Sequence, residues 1–391
     1  MPHFPKTAAS AQGLSGRVFS QLADRARRMP GPVHPLHVGD THLEPPPAAL
    51  EQMRASATQV GQHRYAPVQG IEPLLEQIEA ALAERGGVPV ERDCMQVTAG
   101  ATSGLSVVAG ALWAPGDEVL LPSPFWPLIR GIIQSRGARA VQVPLWTRVS
   151  EPGFDVAAAL EPHITRRTVA LYLNSPHNPT GHILPAGQLD ALADLAEAHN
   201  LWVICDEAYE HLWYGAEAPT PIWAHPRLRA RAIACHTLSK SFAMAGARIG
   251  YVHGPAAAMQ VIRGVQTFQT YCAAQPMQWL AAHALATRGT WLPALRQRNR
   301  QAGTLAATAL GAEAPEGGTF LFVDARPALR PGESDCEALL HRALDAGVML
   351  TPGAACGTDF GGWVRLCFTS VPEPALQDAM QRLEPVLAPH R

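Results

Sequence analysis

Lysine is almost missing from this chain of 391 residues: of its 31 basic residues only Lys6 and Lys240 are lysine, and the rest are arginine. Arginine replaces lysine wherever a solvated positive charge is all that is needed. Its guanidinium cannot lose a proton near neutral pH, so it cannot stand in for a nucleophilic amine. Charge of either sign is also scarce, at 16% of residues with a formal net charge of -2, which removes the electrostatic basis for a nucleic-acid or membrane-surface partner. No apolar run is long enough to span a bilayer, and the start MPHFPKTAASAQGLSGRVFS has neither the basic lead nor the apolar core of a secretion signal. The expected location is the cytoplasm. The seven cysteines (Cys94, Cys205, Cys235, Cys272, Cys336, Cys356 and Cys367) form no C-x-x-C pair, and the 16 histidines show no H-E-x-x-H spacing. A disulfide framework and a metal site are therefore both disfavoured, and the cysteines are expected to be reduced, mostly buried thiols. Small-molecule chemistry is the class these absences leave.

What is present is a hydrophobic fraction of 47%, enough for one large domain with its own core and a smaller second one. Residues 1 to about 45 are rich in Pro, Gly and short polar residues, with one helical stretch near Arg17 to Arg28, and read as an arm that joins the small domain. Between 46 and 285 short β-rich runs alternate with helical ones: CMQVT (94–98), EVLLP (118–122), AVQVPL (140–145), TVALYLN (168–174), LWVICD (201–206), RAIACHT (231–237) and RIGYVHG (248–254). Helical segments such as Leu184 to His199 fill the gaps, which predicts an α/β fold with a mixed, mostly parallel, seven-stranded sheet covered by helices. Residues 286–391, with TFLFVDA, GVMLTPG and WVRLCFT set among helices and turns, predict a smaller α+β domain. In such sheets ligands bind outside the carboxyl ends of the strands.

Four strand ends carry chemistry. The first runs into Thr98-Ala99-Gly100-Ala101-Thr102-Ser103-Gly104 and then an apolar helix. Small residues there either let backbone N–H groups approach an anion at a helix N-terminus or merely allow close packing. Another ends in Asn174-Ser175-Pro176-His177-Asn178-Pro179-Thr180-Gly181, a run of turn formers. LWVICD ends in Asp206, an acid that closes an apolar strand and must either cap a helix or meet a cation or donor. The fourth ends in Thr237-Leu238-Ser239-Lys240, with Arg248 eight residues on. Hydroxyls and an arginine fork suit phosphate oxygens, and the lysine amine condenses with an aldehyde. Together these groups call for one ligand with a phosphate, a basic ring nitrogen and a carbonyl.

The same pieces stand in a recognisable order: Tyr65-Ala66-Pro67-Val68-Gln69-Gly70, Gly100-Ala101-Thr102, Ser123-Pro124-Phe125-Trp126, Asn178-Pro179-Thr180-Gly181, Asp206-Glu207-Ala208-Tyr209, Ser239-Lys240 with Arg248, and Val364-Arg365-Leu366. Over roughly residues 30 to 385 the chain resembles the class I and II aminotransferases, which are fold-type I enzymes of pyridoxal 5'-phosphate (PLP). The resemblance implies that Lys240 holds PLP as a Schiff base and later moves the substrate Cα proton. It implies that Asp206 pairs with the pyridine nitrogen, and that Asn178 and Tyr209 hydrogen-bond the phenolic oxygen. Gly100, Ala101, Thr102, Thr237 or Ser239, and Arg248 would form the phosphate site. Trp126, or its neighbour Phe125, would stack on the ring. Arg365 would grip the substrate α-carboxylate, with Asn178 and the Gly39 backbone assisting. Tyr65 is similar to a tyrosine that reaches the phosphate of the neighbouring subunit, which implies a homodimer with shared active sites. Thr237 stands where the family often has serine. The arm and the segment Gln266 to Gln275 match no pattern, so the substrate side chain is not read. The expected activity is transfer of an amino group between an L-amino acid and a 2-oxo acid; the alternative on the same scaffold is a C–S β-lyase or another PLP reaction.

Overall fold

The computed structural model describes residues 6–14 and 22–389. The seven apolar runs become β1 (Met95–Thr98), β2 (Glu118–Ser123), β3 (Arg139–Pro144), β4 (Thr168–Asn174), β5 (Trp202–Asp206), β6 (Ala232–Thr237) and β7 (Gly250–His253). They form one sheet in the order β1-β7-β6-β5-β4-β2-β3, parallel except that β7 runs against both β1 and β6. Strands of such a sheet are covered on both faces and so are apolar throughout rather than alternating. One face packs Leu105, Val119, Phe125 and Ile204 beneath the helices Gly100–Leu112 and Ala256–Gln269. The other packs Leu74, Ile78, Leu171 and Leu192 beneath Glu72–Gly86 and Leu189–Ala198.

At the end of the sheet away from the strand carboxyl ends, Glu118 is buried at the start of β2. It accepts from Arg139 on β3 (2.7 Å), from Thr165 (2.7 Å) and from Arg167 (2.7 Å) just before β4. These donors, the Arg139 guanidinium first, hold its carboxyl at about 2, well below the usual range. One side chain thus ties together the starts of three neighbouring strands.

A second, antiparallel sheet of β8 (Phe320–Asp324), β10 (Trp363–Cys367) and β9 (Thr351–Pro352) lies under the helices Arg288–Leu310, Glu337–Asp345 and Glu373–Leu387, with Leu321, Leu339, Val364, Leu366 and Leu376 as its core. The segment from His34 onward is laid onto this unit: His34 pairs with Val348, Leu36 joins the core, and the Leu36 carbonyl accepts from the Cys367 N–H at 2.7 Å. The next residues lead to the strand ends of the large sheet.

Three sequence expectations need adjustment. The helix expected from Leu184 begins only at Leu189, after a 3-10 turn at Ala186–Gln188, because Pro185 disfavours helical backbone at Leu184 and the Leu184 N–H is taken by the Ser175 hydroxyl. GVMLTPG contributes only the two-residue strand β9. Of the stretch Arg17 to Arg28, residues 17–21 lie outside the described residues, and a short helix covers Ala23–Ala26. All seven cysteines are free thiols, five buried and Cys94 and Cys272 half-buried. Among the described residues no helix is long and apolar enough to cross a membrane, and no group of three or more potential metal ligands gathers.

Candidate active site

The carboxyl ends of β1, β2, β4, β5 and β6 open onto one cavity of about 230 Å³, where an open α/β sheet places its ligands. At its floor β5 ends on Asp206, which is buried. Its Oδ1 accepts the Ala208 N–H at 3.1 Å and its Oδ2 accepts the Tyr172 hydroxyl. Both donors are neutral, and burial pushes the carboxyl up to about 6. A cation set against Asp206 would pull that value back down.

Beside it β4 ends on Asn174, whose amide donates to the Asp206 carbonyl at 2.7 Å and whose Oδ1 accepts the Asn178 N–H at 2.7 Å. The turn-rich loop is thereby locked to the end of β5. The Asn178 amide in turn donates to the Tyr209 hydroxyl at 3.3 Å. Burial pushes the Tyr209 phenol well up, so it stays protonated and able to donate.

At the opposite end β1 passes into Gly100, whose φ of +80° is left-handed and whose added Cβ would lie 2.8 Å from Arg248 Nη2. Only glycine fits there. Gly250, on the reversed strand, is equally confined: a Cβ would meet the Ala101 N at 3.0 Å. Ala101 and Thr102 open the helix Gly100–Leu112 and line the cavity; the first N–H groups of a helix have no partner within it. From β6, Thr237 Oγ1 lies 2.8 Å from Ser239 Oγ and accepts the Ser239 N–H at 3.2 Å. Arg248, itself at φ +53°, anchors Nη1 on the Ala245 carbonyl at 2.9 Å and keeps Nη2 beside Gly100. Helix N-terminus, paired hydroxyls and guanidinium could together seat a multiply charged oxyanion.

Lys240 stands in the same cavity, its ammonium donating to the Gly39 carbonyl. Burial lowers its pKa, with Arg248 and Arg365 adding repulsion against the opposing pull of Cys367 and Asp40. Gly39 passes so close to Phe320 that a Cβ would lie 2.4 Å from its ring. Arg365 on β10 is 1% exposed. Its guanidinium donates to Asn178 Oδ1 (3.1 Å), the His37 carbonyl (3.1 Å) and Thr351 Oγ1 (3.2 Å), and lies 4.3 Å from the centre of the Phe320 ring. It therefore joins the small sheet, the N-terminal segment and the loop after β4.

Of the residues picked out in the sequence, Gly39, Ala101, Thr102, Trp126, Asn178, Asp206, Tyr209, Thr237, Ser239, Lys240, Arg248 and Arg365 all line this cavity. Of the adjacent aromatics, Trp126 faces it while Phe125 is buried in the core beneath the helix Gly100–Leu112. Gly100 backs Arg248 without lining the cavity, and Tyr65 is not brought to it: Tyr65 is 83% exposed, edge-on to Tyr271 at 5.1 Å. The sequence reading did not single out Tyr172, Asn174 or Phe320 as site residues. Asn174 carried a usable signal as the last residue of an apolar parallel strand, whereas Tyr172 and Phe320 look like ordinary strand aromatics.

A phosphate, a basic ring nitrogen and an aldehyde match three features of one cavity: the oxyanion seat with no room for a Cβ at Gly100, the buried Asp206 whose hydrogen-bond donors are neutral, and its single lysine, the half-buried Lys240. On this sheet topology, that set of groups defines a fold-type I PLP enzyme. The sequence profile described as aminotransferase class I and II matches residues 32–383. The chain is 35% identical over 355 residues to the arginine–pyruvate transaminase AruH of Pseudomonas aeruginosa, covering 89% of this chain and 88% of that protein. It is 35% identical over 328 residues to the probable N-succinyldiaminopimelate aminotransferase DapC of Mycobacterium tuberculosis, covering 82% and 81%. Among solved structures it matches the N-succinyldiaminopimelate aminotransferase of M. tuberculosis with a TM-score of 0.89 at 31% identity over 98% of this chain and 100% of that one. It also matches the aspartate aminotransferase of Thermus thermophilus with maleate, with a TM-score of 0.87 at 29% identity over the same shares. The chain belongs to the class I and II aminotransferases. Its reaction is the PLP-dependent transfer of an amino group between an amino acid and a 2-oxo acid.

Proposed function

We propose that this transfer runs in the cavity at the strand ends with the following division of labour. The observation that carries the assignment is that Lys240 shares a cavity with Asp206, Asn178, Tyr209, Arg248 and Arg365. PLP, when bound, supplies an aldehyde that takes up and releases the amino group, and a ring that accepts the electrons of the Cα–H bond. Arg248, Thr237, Ser239 and the N–H groups of Ala101 and Thr102 bind the phosphate, and Gly100 leaves them room. Asp206 holds the proton on the ring nitrogen by charge pairing. Asn178 and Tyr209 donate to the phenolic oxygen, and Trp126 stacks on the ring face. Arg365 orients the substrate through its α-carboxylate, assisted by Asn178 and the Gly39 backbone. Lys240 would hold the cofactor through its amine, and the free amine would move the proton at the substrate Cα. Its lowered pKa supports that role, since a base must be neutral to accept a proton.

We read the chain as an arm and two domains divided near residues 45 and 285, working in the cytoplasm as a homodimer in which Tyr65 reaches the phosphate of the neighbouring protomer. Support for the dimer comes from Tyr65, Val60 and Phe268, which are strongly exposed although apolar or aromatic.

Lys240→Ala tests the reading. Purified native protein is expected to show the visible absorbance of lysine-bound cofactor and to turn over a panel of amino acids, including arginine and aspartate, with pyruvate or 2-oxoglutarate as acceptor. The variant is expected to lose the band and to fall in rate by roughly 10²–10⁴-fold or more. An unchanged band in Lys240→Ala would overturn the assignment. Ammonia and pyruvate from cysteine-type substrates, without new amino acid, would overturn transfer itself.

A further inference from the structure

Behind Asp206, on the side away from the cavity, stands a hydroxyl that the reaction as described does not use. Tyr172 lies on β4 two residues before Asn174, so the pleat puts both side chains on one face of the sheet. Its ring is buried beneath the helix Gly100–Leu112, among Ile204, Ile233 and Cys235. Its hydroxyl donates to Asp206 Oδ2. The neighbouring Asn174 amide holds the Asp206 backbone carbonyl at 2.7 Å. One strand therefore holds the last residue of the next at both its main chain and its carboxylate.

Resting on the pairing of Asp206 with the ring nitrogen set out above, we infer that Tyr172 is a positioning residue: its hydroxyl fixes the Asp206 carboxylate in the orientation and ionised state that bind the protonated cofactor nitrogen. A phenol donating to a carboxylate stabilises the anion, because the donor bond is stronger to the charged form than to the acid. It also fixes the rotamer, since Oδ2 is held by Tyr172 and Oδ1 by the Ala208 N–H. The direction of the proton is set by the surroundings. Burial and the nearby Asp206 charge push the Tyr172 phenol well up, so it donates and does not ionise. Other titratable groups around this pair are few. Glu207 and Tyr209 follow Asp206 on its own segment, Cys235 and His236 stand on β6, and the helix Gly100–Leu112 over this face carries none. Tyr172 is thus the side chain hydrogen-bonded to Asp206 that opposes its desolvation before any cofactor is present, with the Ala208 N–H and the more distant His236 acting in the same direction.

The test is cofactor affinity of the apoprotein, measured by PLP titration at a series of pH values, together with the pH profile of kcat. Tyr172→Phe keeps the ring that fills the core and removes only the hydroxyl. Loss of one charge-assisted hydrogen bond is expected to move the acid limb of both profiles up by about one unit, which weakens PLP binding about twofold at pH 7 and by close to tenfold at about pH 5. KM for the amino donor is expected to stay within about twofold, since Arg365 is untouched. Ile204→Val, which trims the same packing layer without touching the hydroxyl, is expected to melt lower and leave both profiles in place. Asp206→Asn separates this inference from the reading it rests on: unchanged PLP affinity in that variant refutes the pairing of Asp206 itself. Adding Tyr172→Phe to Asp206→Asn is expected to cost no further affinity, because the hydroxyl then has no carboxylate to hold. Unchanged affinity and acid limb in Tyr172→Phe, or an equal further loss in the double variant, overturns the inference.

Discussion

Arg365 shows at the scale of one residue why charge alone does not define a site. Its guanidinium is held in a plane by three acceptors from three segments, Asn178, His37 and Thr351, and is stacked over Phe320. Lysine at this place would keep the charge and lose the fork, the stacking and the fixed plane. Arg365→Lys is expected to raise KM for the amino donor by about 10–100-fold, the size of a lost bidentate contact, with a smaller fall in kcat and an intact visible band. Half-reaction rates against donor concentration measure it, and an unchanged KM would remove Arg365 from the carboxylate grip. Legibility in the sequence differs sharply among such residues. Lys240 is conspicuous because the chain otherwise nearly does without lysine, and Asp206 because an acid ends an apolar strand. Arg365 is one arginine among many and is marked only by the family pattern around it. The choice of Trp126 over Phe125 needs the structure, since adjacent aromatics at a strand end point to opposite sides and only packing decides which is covered. Tyr172 was not legible at all: a tyrosine in a strand is equally a core residue, and its partner lies on the next strand.

At the scale of elements, all seven large-sheet strands were legible to within about two residues, because short β-branched runs bounded by turn formers have few other uses. Their order was not, since nothing local in RIGYVHG says that this strand alone runs backwards between β1 and β6. Equally invisible was the device that aligns β2, β3 and β4. Glu118 reads as a stray acid in EVLLP, yet its carboxylate is the common acceptor for Arg139, Thr165 and Arg167. Its folded-state pKa is depressed to about 2 from an ordinary 4.5. The stabilisation is therefore fully present above about 4.5 and is lost as pH falls toward 2. Both arginines are largely solvated, so screening trims the effect. Glu118→Gln is expected to cost on the order of 1–3 kcal/mol at pH 7. The gap between native and variant should close as pH falls through that window. Denaturant unfolding at pH 7 and pH 3 reads this directly, and a gap that stays constant or widens toward acid would show that the network does not set the strand alignment.

At the scale of the whole molecule, one feature lies outside the cavity. Tyr65 and Tyr271 meet edge to face, Val60 and Phe268 are each 94% exposed, and the Gln275 amide ties these two regions together at the Gly61 carbonyl, 3.2 Å away. Scattered exposed apolar side chains need no explanation, but exposed apolar groups of this kind are what the proposed dimer would cover. An isologous dimer over this patch would carry Tyr65 of each protomer toward the site of the other, in keeping with its absence from the cavity of its own chain. Sharing of this kind is tested by complementation. On the proposed sharing, Lys240→Ala would remove the anchoring amine and Tyr65→Ala the reaching hydroxyl, so each homodimer would have two defective sites. A hybrid dimer has one site with both changes and one with neither. Remixing the two variants under dissociating conditions at limiting PLP is therefore expected to restore about one quarter of native activity, from half of the dimers with one intact site each. Phe268→Asp, introduced into both chains, should lower that recovery by weakening the dimer, with sedimentation velocity reporting the shift toward monomer. Recovery that never exceeds the activity of Tyr65→Ala alone would mean that each protomer builds its site from its own residues, and the exposed tyrosine would need another partner.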